Sequence, residues 1–161
     1  MSQAVSGGGP AADGGASHGR DAARAMFEAD VASRSLGIDL VETGPGTATA
    51  RMRVTASMLN GHQIMHGGYL FLLADTTFAC ACNSHGPVTV AAGADISFTA
   101  PVRQGAELTA VATERARYGR SGIYDVTVYR DAPAGRVTVA EFRGRSRTIG
   151  REGAAGQEDQ S

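Results

Sequence analysis

Cysteine is scarce in this sequence, and its spacing excludes several classes of protein. The two cysteines, Cys80 and Cys82, are separated by a single residue. Redox and structural zinc motifs place two residues between their cysteines, and side chains two positions apart on a helix diverge. We therefore expect a reduced protein of the cytoplasm, without a disulfide framework.

Long apolar runs and an excess of one charge are also absent. The longest apolar stretch, Tyr69–Ala74, is far shorter than the ~20 residues that span a bilayer. The first residues carry neither the basic start nor the apolar segment of a signal peptide. The net charge of −1 argues against a general binder of polyanions. We expect a protein that binds neither membranes nor nucleic acid.

Length and composition favour a single domain with a packed core. The chain has 161 residues, of which 42% are hydrophobic and 19% are charged. Residues 101–151 carry ten arginines and five acidic residues, whereas residues 1–100 carry five arginines and eight acidic residues. The positive potential of the C-terminal part is suited to a small acidic ligand.

Composition and periodicity divide the chain into three parts. We expect a disordered glycine-rich leader at 1–19, a folded domain at 20–150 and a disordered tail at 151–161, because both ends have few apolar groups. The domain should contain a helix at 21–33, strands at 38–42 and 47–54, a loop at 56–66, a buried helix at 68–82, and strands at 88–99, 107–117, 122–130 and 136–149. Consecutive hairpins imply an antiparallel sheet around the apolar helix. The predicted fold class is α+β.

Asp75 is the only charged side chain in the apolar helix. Burial of a carboxylate beside Leu72, Leu73 and Phe78 is costly unless the group is paired or hydrogen-bonded. In one interpretation Asp75 caps a break in the helix or faces water. In the other it is a catalytic carboxylate at a subunit interface.

The triplet His66-Gly67-Gly68 opens the same helix. The first amides of a helix have no internal partner, and the helix dipole favours negative charge there. Because glycine lets a substrate carbonyl approach the backbone closely, the triplet can form an oxyanion hole for acyl transfer. The alternative is that the glycines only permit a tight entry to the helix. His62 and His66 have the i, i+4 spacing of some zinc sites, but neighbouring glycines disfavour a helix there, and we predict no metal.

Arg143, Arg145 and Arg147 alternate along the last predicted strand and therefore share one face. That face is either solvated or a row of phosphate contacts. In the second case Arg120 and Ser121, in the preceding glycine-flanked turn, would add contacts.

A series of short motifs connects these residues. It consists of Asn60-Gly61-His62, His66-Gly67-Gly68, Leu73-Ala74-Asp75-Thr76, Phe78-Ala79 and Cys82-Asn83-Ser84, followed by Phe142-Arg143-Gly144-Arg145-Ser146 and Ile149-Gly150. Over about residues 20–150 the series resembles the hotdog-fold acyl-CoA thioesterases of the phenylacetate-degradation (PaaI) type. In that fold a curved antiparallel sheet wraps one long helix, in agreement with the predicted element order.

The resemblance implies a role for each matching residue. Asp75 would be the catalytic carboxylate, acting as nucleophile or as base for water, and the Gly67 N–H would polarise the thioester carbonyl. Asn60 and His66 would orient substrate or water. The family builds its site across a dimer, and we expect a homotetramer of two dimers. Some relatives have a serine early in the strand after the helix, where this chain has Ala91, Ala92 and Gly93.

The expected function is hydrolysis of acyl-CoA thioesters, of phenylacetyl-CoA or its hydroxylated forms, without a cofactor. The CoA thiol is weakly basic, with a pKa of about 8.5 by analogy with cysteine. One carboxylate and one oxyanion donor therefore suffice. Arg120, Ser121, Arg145 and Arg147 would contact the CoA moiety. A serine-hydrolase mechanism is excluded by the lack of a G-x-S-x-G motif.

Two alternatives remain open from the sequence. One is a hotdog hydratase or dehydratase that uses His62 or His66 with Asp75 on an enoyl thioester. The other is an acyl-CoA-binding module without catalysis.

Overall fold

The computed structural model describes residues 13–150. The helices are α1 (Asp13–Ala29), α2 (Val31–Ser35) and α3 (Gly67–Asn83), and a 3-10 helix covers Ala56–Met58. The strands are β1 (Asp39–Gly44), β2 (Thr47–Arg53), β3 (Thr89–Phe98), β4 (Glu107–Tyr118), β5 (Ser121–Ala132) and β6 (Gly135–Thr148). In this part of the chain, no helix has the length and apolar character needed to cross a membrane.

Helix α3 lies at the centre of the fold and is buried over most of its surface. Ten of its 17 residues are buried. The buried polar groups are hydrogen-bonded: the Thr77 hydroxyl donates to the Leu73 carbonyl at 2.7 Å, and the Asn83 amide bonds both the N–H and the C=O of Thr89. The Asn83 contacts fix the end of α3 to the start of β3.

All six strands form one antiparallel sheet in the order β1-β2-β4-β5-β6-β3. Its inner face packs on α3 through aromatic side chains. The Phe78 ring lies 5.5 Å from that of Tyr124 and 5.8 Å from that of Phe142. At Gly144 an added Cβ would be 2.8 Å from the Phe78 ring, so the absence of a side chain lets the helix approach β6 closely.

The α+β prediction is confirmed, and the central elements lie close to their expected positions. The bounds of α3 and of the six strands differ from the predicted ones by two residues at most. The segment 56–66, expected to be a loop throughout, contains the 3-10 helix and an isolated bridge between Leu59 and Met65.

The N-terminal prediction is wrong in two respects. Residues 13–19, assigned to a disordered leader, are the first turns of α1, and Asp30 separates α1 from α2 where one helix was expected. Glycine content was misleading because Gly19 is a packing position: a Cβ there would collide with the Ser84 carbonyl at the end of α3. The remaining leader residues 1–12 and the expected tail 151–161 lie outside the described residues.

Candidate active site

The N-terminus of α3 presents a free backbone donor. The His66 ring caps the helix, because its Nδ1 accepts a hydrogen bond of 2.9 Å from the Gly68 N–H. The proton of the neutral ring therefore lies on Nε2. No acceptor in residues 13–150 takes the Gly67 N–H, which leaves it available to an oxyanion.

A cavity of about 410 Å³ opens beside Gly67. Its walls are mainly apolar, and they include Met65, Leu70, Phe98 and Val102. The Phe98 ring lies directly against Gly67, since a Cβ at Gly67 would be 2.7 Å from the ring edge. The free amide and the aromatic ring thus share one wall.

Asn60 and Thr99 contribute polar side chains to this cavity. The hydrogen bonds of Asn60 hold it in place. Its Oδ1 accepts the His62 N–H at 2.9 Å and the Ile64 N–H at 3.4 Å, and its backbone N–H donates to the Ile64 carbonyl. These bonds fix the loop that leads into α3. The Asn60 Nδ2 group has no acceptor within the part of the chain described, so it is available to a ligand.

Asp75 lies on a different part of the same helix. It follows Gly67 by eight residues, which is about 12 Å along the axis, and it does not line the cavity. With Gly68, Leu72 and Ala79 it forms a stripe that its own sheet does not cover. Burial raises the pKa of the Asp75 carboxyl above its usual range, and the negative charge of Asp30 raises it further.

The alternating arginines of β6 do share one exposed face. Two of them have carboxylate partners: Arg143 makes a bidentate contact with Asp125 at 2.7 and 2.9 Å, and Arg145 contacts Asp95 at 2.9 Å. Hydrogen bonding from Arg143 lowers the pKa of the Asp125 carboxyl. This pairing leaves Arg145 less available to phosphate than the sequence suggested.

Arg147 and the turn before β5 lie together at one end of the sheet. Ser121 is the register partner of Arg147. Arg120 donates from Nε to the Thr148 carbonyl at 3.0 Å, and its guanidinium remains exposed. In residues 13–150 the Arg147 side chain has no ion-pair partner. The turn therefore adds cationic and hydroxyl groups to the end of the arginine row.

His62 and His66 have the spacing of some zinc sites, but we predicted no metal from the sequence. Within the described part of the chain, no group of three or more histidine, cysteine or acidic side chains is placed to hold a metal ion.

Two polar networks were missed by the sequence analysis. In the first, Glu114 accepts hydrogen bonds from Tyr124 at 2.7 Å and from His85 at 2.6 Å, and it joins β4 and β5 to the end of α3. Burial, followed by this bond to Glu114, raises the pKa of Tyr124. The second network links Asp30, at the start of α2, to α3 and is described below. The spacing Asp30-x-x-Ser33 is typical of a helix cap and could have indicated it.

A long helix held in one antiparallel sheet is the arrangement of the hotdog fold. The thioesterase superfamily model matches residues 62–135. The acyl-coenzyme A thioesterase PaaI of Escherichia coli K12 is 47% identical over 128 residues, which cover 80% of this chain and 89% of that relative. The chain therefore belongs to the PaaI-type acyl-CoA thioesterases.

Solved structures agree with this assignment. The PaaI protein from the phenylacetic acid degradation operon of E. coli has a TM-score of 0.80 and 43% identity, over 86% of this chain and 98% of that one. A mutant of the phenylacetic acid degradation protein PaaI from Thermus thermophilus has a TM-score of 0.68 and 32% identity, over 73% and 97% of the two chains. The protein is an enzyme that hydrolyses acyl-CoA thioesters.

Proposed function

We propose that the enzyme acts on phenylacetyl-CoA or hydroxylated phenylacetyl-CoA. The observation that carries this proposal is the apolar cavity of about 410 Å³ with the Phe98 ring against Gly67. An aromatic acyl group gains from an edge-to-face or offset contact with such a ring. Two of the related proteins are described as belonging to phenylacetic acid degradation.

In the proposed reaction the Gly67 N–H stabilises the oxyanion that forms when the thioester carbonyl is attacked. Asp75 attacks the carbonyl or removes a proton from the attacking water. Asn60, through Nδ2, and His66, through Nε2–H, orient the substrate or that water. CoA departs as a thiolate without a strong general acid, because its thiol is weakly basic.

We propose that Gly67 and Asp75 meet across a dimer interface. On one chain they are about 12 Å apart along the helix axis, too far to act on the same carbonyl. The uncovered stripe of α3 around Asp75 would pack on a second copy, and the free edge of β3 would pair with its counterpart. Two such dimers would form a tetramer. A stable monomer at micromolar concentration in sedimentation would contradict the shared site.

The CoA moiety is proposed to lie against Arg120, Ser121 and Arg147, with Arg145 at the margin. CoA carries several phosphate charges, and guanidinium groups bind phosphate with paired hydrogen bonds. Arg147 and Ser121 are register partners, so both reach the same end of the sheet.

The acyl preference is tested by thiol release from phenylacetyl-CoA and from hexanoyl-CoA. Phe98→Leu should raise KM for phenylacetyl-CoA by roughly 2- to 10-fold and change KM for hexanoyl-CoA less, because it removes an aromatic contact of about 0.5–1.5 kcal/mol. Tyr118→Leu is the matched control, since Tyr118 is 57% exposed and Phe98 is 56% exposed, but only Phe98 lines the cavity. A wild-type preference for hexanoyl-CoA, or an equal effect of both substitutions, would remove the aromatic substrate from the proposal.

A further inference from the structure

A chain of hydrogen bonds connects the start of α2 with the middle of α3. Asp30 caps α2: its Oδ1 accepts the Ser33 N–H at 3.0 Å, and its Oδ2 accepts the Ser33 hydroxyl at 2.5 Å. The Ser33 oxygen lies 2.7 Å from the hydroxyl oxygen of Thr76. Since Thr76 is the residue after Asp75, the chain brings the Asp30 carboxylate to the turn of α3 that carries the candidate catalytic carboxylate.

The number of protons fixes the direction of these bonds. A carboxylate only accepts, so the single hydroxyl proton of Ser33 is given to Asp30. The Ser33 oxygen must then accept its second hydrogen bond from Thr76. Ser33 is 2% exposed and Thr76 is 7% exposed, which leaves little room for water to compete. The chain therefore runs from Thr76 through Ser33 to the negative charge of Asp30.

This arrangement goes beyond what a helix cap requires. A cap needs one carboxylate oxygen on a backbone N–H, and Oδ1 of Asp30 supplies it. A helical threonine can return its hydroxyl to its own helix, as Thr77 does at the Leu73 carbonyl. The second oxygen of Asp30 and the Thr76 hydroxyl instead bond to Ser33, which holds the charge at a fixed place against α3.

We propose that Asp30 is a positioning residue of the thioesterase reaction: hydrogen bonds through Ser33 and Thr76 hold its negative charge against α3, where it acts on the Asp75 carboxylate. The inference rests on the catalytic role proposed above for Asp75. A neighbouring negative charge disfavours ionisation of a carboxyl. A more basic carboxylate attacks a carbonyl, or takes a proton from water, more readily.

The other titratable groups around this part of α3 do not take over the role of Asp30. The contribution of Asp30 to the pKa of Asp75 is second only to that of burial. Burial raises the pKa of the Cys80 and Cys82 thiols to about 12, so both stay neutral while the enzyme works. Arg24 of α1 lies near Cys80, and Tyr124, with Glu114 and Arg117 of the sheet, lies on the side of Cys82. Within residues 13–150, none of these groups is among the causes that raise the pKa of Asp75.

The test is the pH profile of kcat/KM for Asp30→Asn. Asparagine is also a good helix cap, so α2 should be retained. The acidic limb should move to lower pH, because the like charge that raised the pKa of Asp75 is gone. The plateau of kcat should fall severalfold. A merely structural role would lower activity at all pH values without moving the limb.

Two control variants sharpen this test. Glu28→Gln removes an exposed carboxylate two residues earlier that takes no part in the chain, and it should leave the limb in place. Ser33→Ala keeps the charge of Asp30 but removes the hydroxyl that links it to Thr76. It should shift the acidic limb in the same direction by a smaller amount. An unmoved limb in Asp30→Asn, or an equal shift in Glu28→Gln, would overturn the proposal.

A second measurement keeps the proposal testable if Asp30→Asn fails to fold. Carboxyl ¹³C NMR of wild type and Ser33→Ala should show the pKa of Asp75 falling in the variant, because the negative charge of Asp30 is no longer fixed against α3. An unchanged Asp75 titration would refute the coupling. If kcat of Asp75→Asn stays normal, the catalytic role of Asp75 fails, and the NMR titration reports separately whether the two carboxyls interact.

Discussion

At the scale of single residues, Asp75 carries a charge that the fold does little to stabilise. It is half-buried, and within residues 13–150 its pKa is raised by burial and by Asp30, with no hydrogen bond that opposes the shift. A pKa above the unfolded value means that the folded chain binds the proton more tightly than the unfolded chain. Folding stability from this group is therefore present at low pH and is lost as pH rises through the folded pKa.

Asp75→Asn should separate catalysis from stability. We expect kcat to fall by about 10²- to 10⁴-fold, which is typical for loss of a general base. Tm at pH 8 should rise, because the amide brings no charge into this half-buried position. The gain in Tm should vanish near pH 3, where the carboxyl is protonated in both states. Scanning calorimetry and thiol release on the same preparation check both effects; a lower Tm with normal kcat would make Asp75 a structural cap.

The sequence indicated most residues of the candidate site but not how they come together in the fold. Asn60, His66 and Gly67 come together at the start of α3 because they are close in the chain. The hydrogen bond between Ser33 and Thr76 joins residues 43 positions apart, and no local sequence pattern predicts it. The pairing of Arg145 with Asp95 was not predicted, because the two residues lie on different strands and are 50 positions apart in the chain.

At the scale of elements, local periodicity was sufficient to predict the bounds of a helix or strand where that element is buried against the sheet. The bounds of α3 and the strands follow from apolar patterns and glycine turns. The start of α1 could not be predicted in this way, because glycine disfavours a helix and the segment contains Gly14, Gly15 and Gly19. The structure shows that a side chain at Gly19 would overlap the Ser84 carbonyl at the end of α3. A side chain at Gly15 would meet no neighbour.

These two glycines form a matched pair for testing the packing of α1. Gly19→Ala should destabilise the protein by about 1–3 kcal/mol, because the new methyl group overlaps the rigid Ser84 carbonyl. Gly15→Ala should be neutral or stabilising by up to ~1 kcal/mol, since alanine favours a helix and meets no neighbour. Urea unfolding measures both. Equal effects of the two substitutions would mean that α1 does not pack on the end of α3.

At the scale of the whole molecule, the charges on the outer face of the sheet divide into paired and free groups. Arg143 is held by Asp125 on the neighbouring strand, whereas Arg120 and Arg147 have no carboxylate partner within residues 13–150. The sequence predicted one face for the arginines of β6, and the structure confirms it. The sequence could not predict which arginines are paired with a carboxylate, because the pairing depends on strand register.

Arg147→Ala and Arg120→Ala should raise KM for CoA thioesters by about 2- to 5-fold with little change in kcat, as expected for exposed charge contacts worth up to ~1 kcal/mol. The wild-type KM should rise with ionic strength, and the variants should respond less. Arg143→Ala is the control, because its guanidinium is already occupied by Asp125. Steady-state kinetics at two salt concentrations distinguishes these outcomes. If KM stays constant in all variants, the arginines do not contact CoA and are ordinary solvated surface residues.

The distance between Gly67 and Asp75 along α3 has a genetic consequence. If each site takes its amide from one subunit and its carboxylate from the other, two differently damaged chains can repair each other. Gly67→Pro deletes the N–H at the first helix position, where the backbone tolerates proline and the exposed Phe98 ring must move aside for the new side chain. Asp75→Asn deletes the charge. Each variant alone should be inactive, but a dimer containing one of each has one site with both defects and one site with none. An equal mixture, refolded together, should therefore recover about a quarter of wild-type activity.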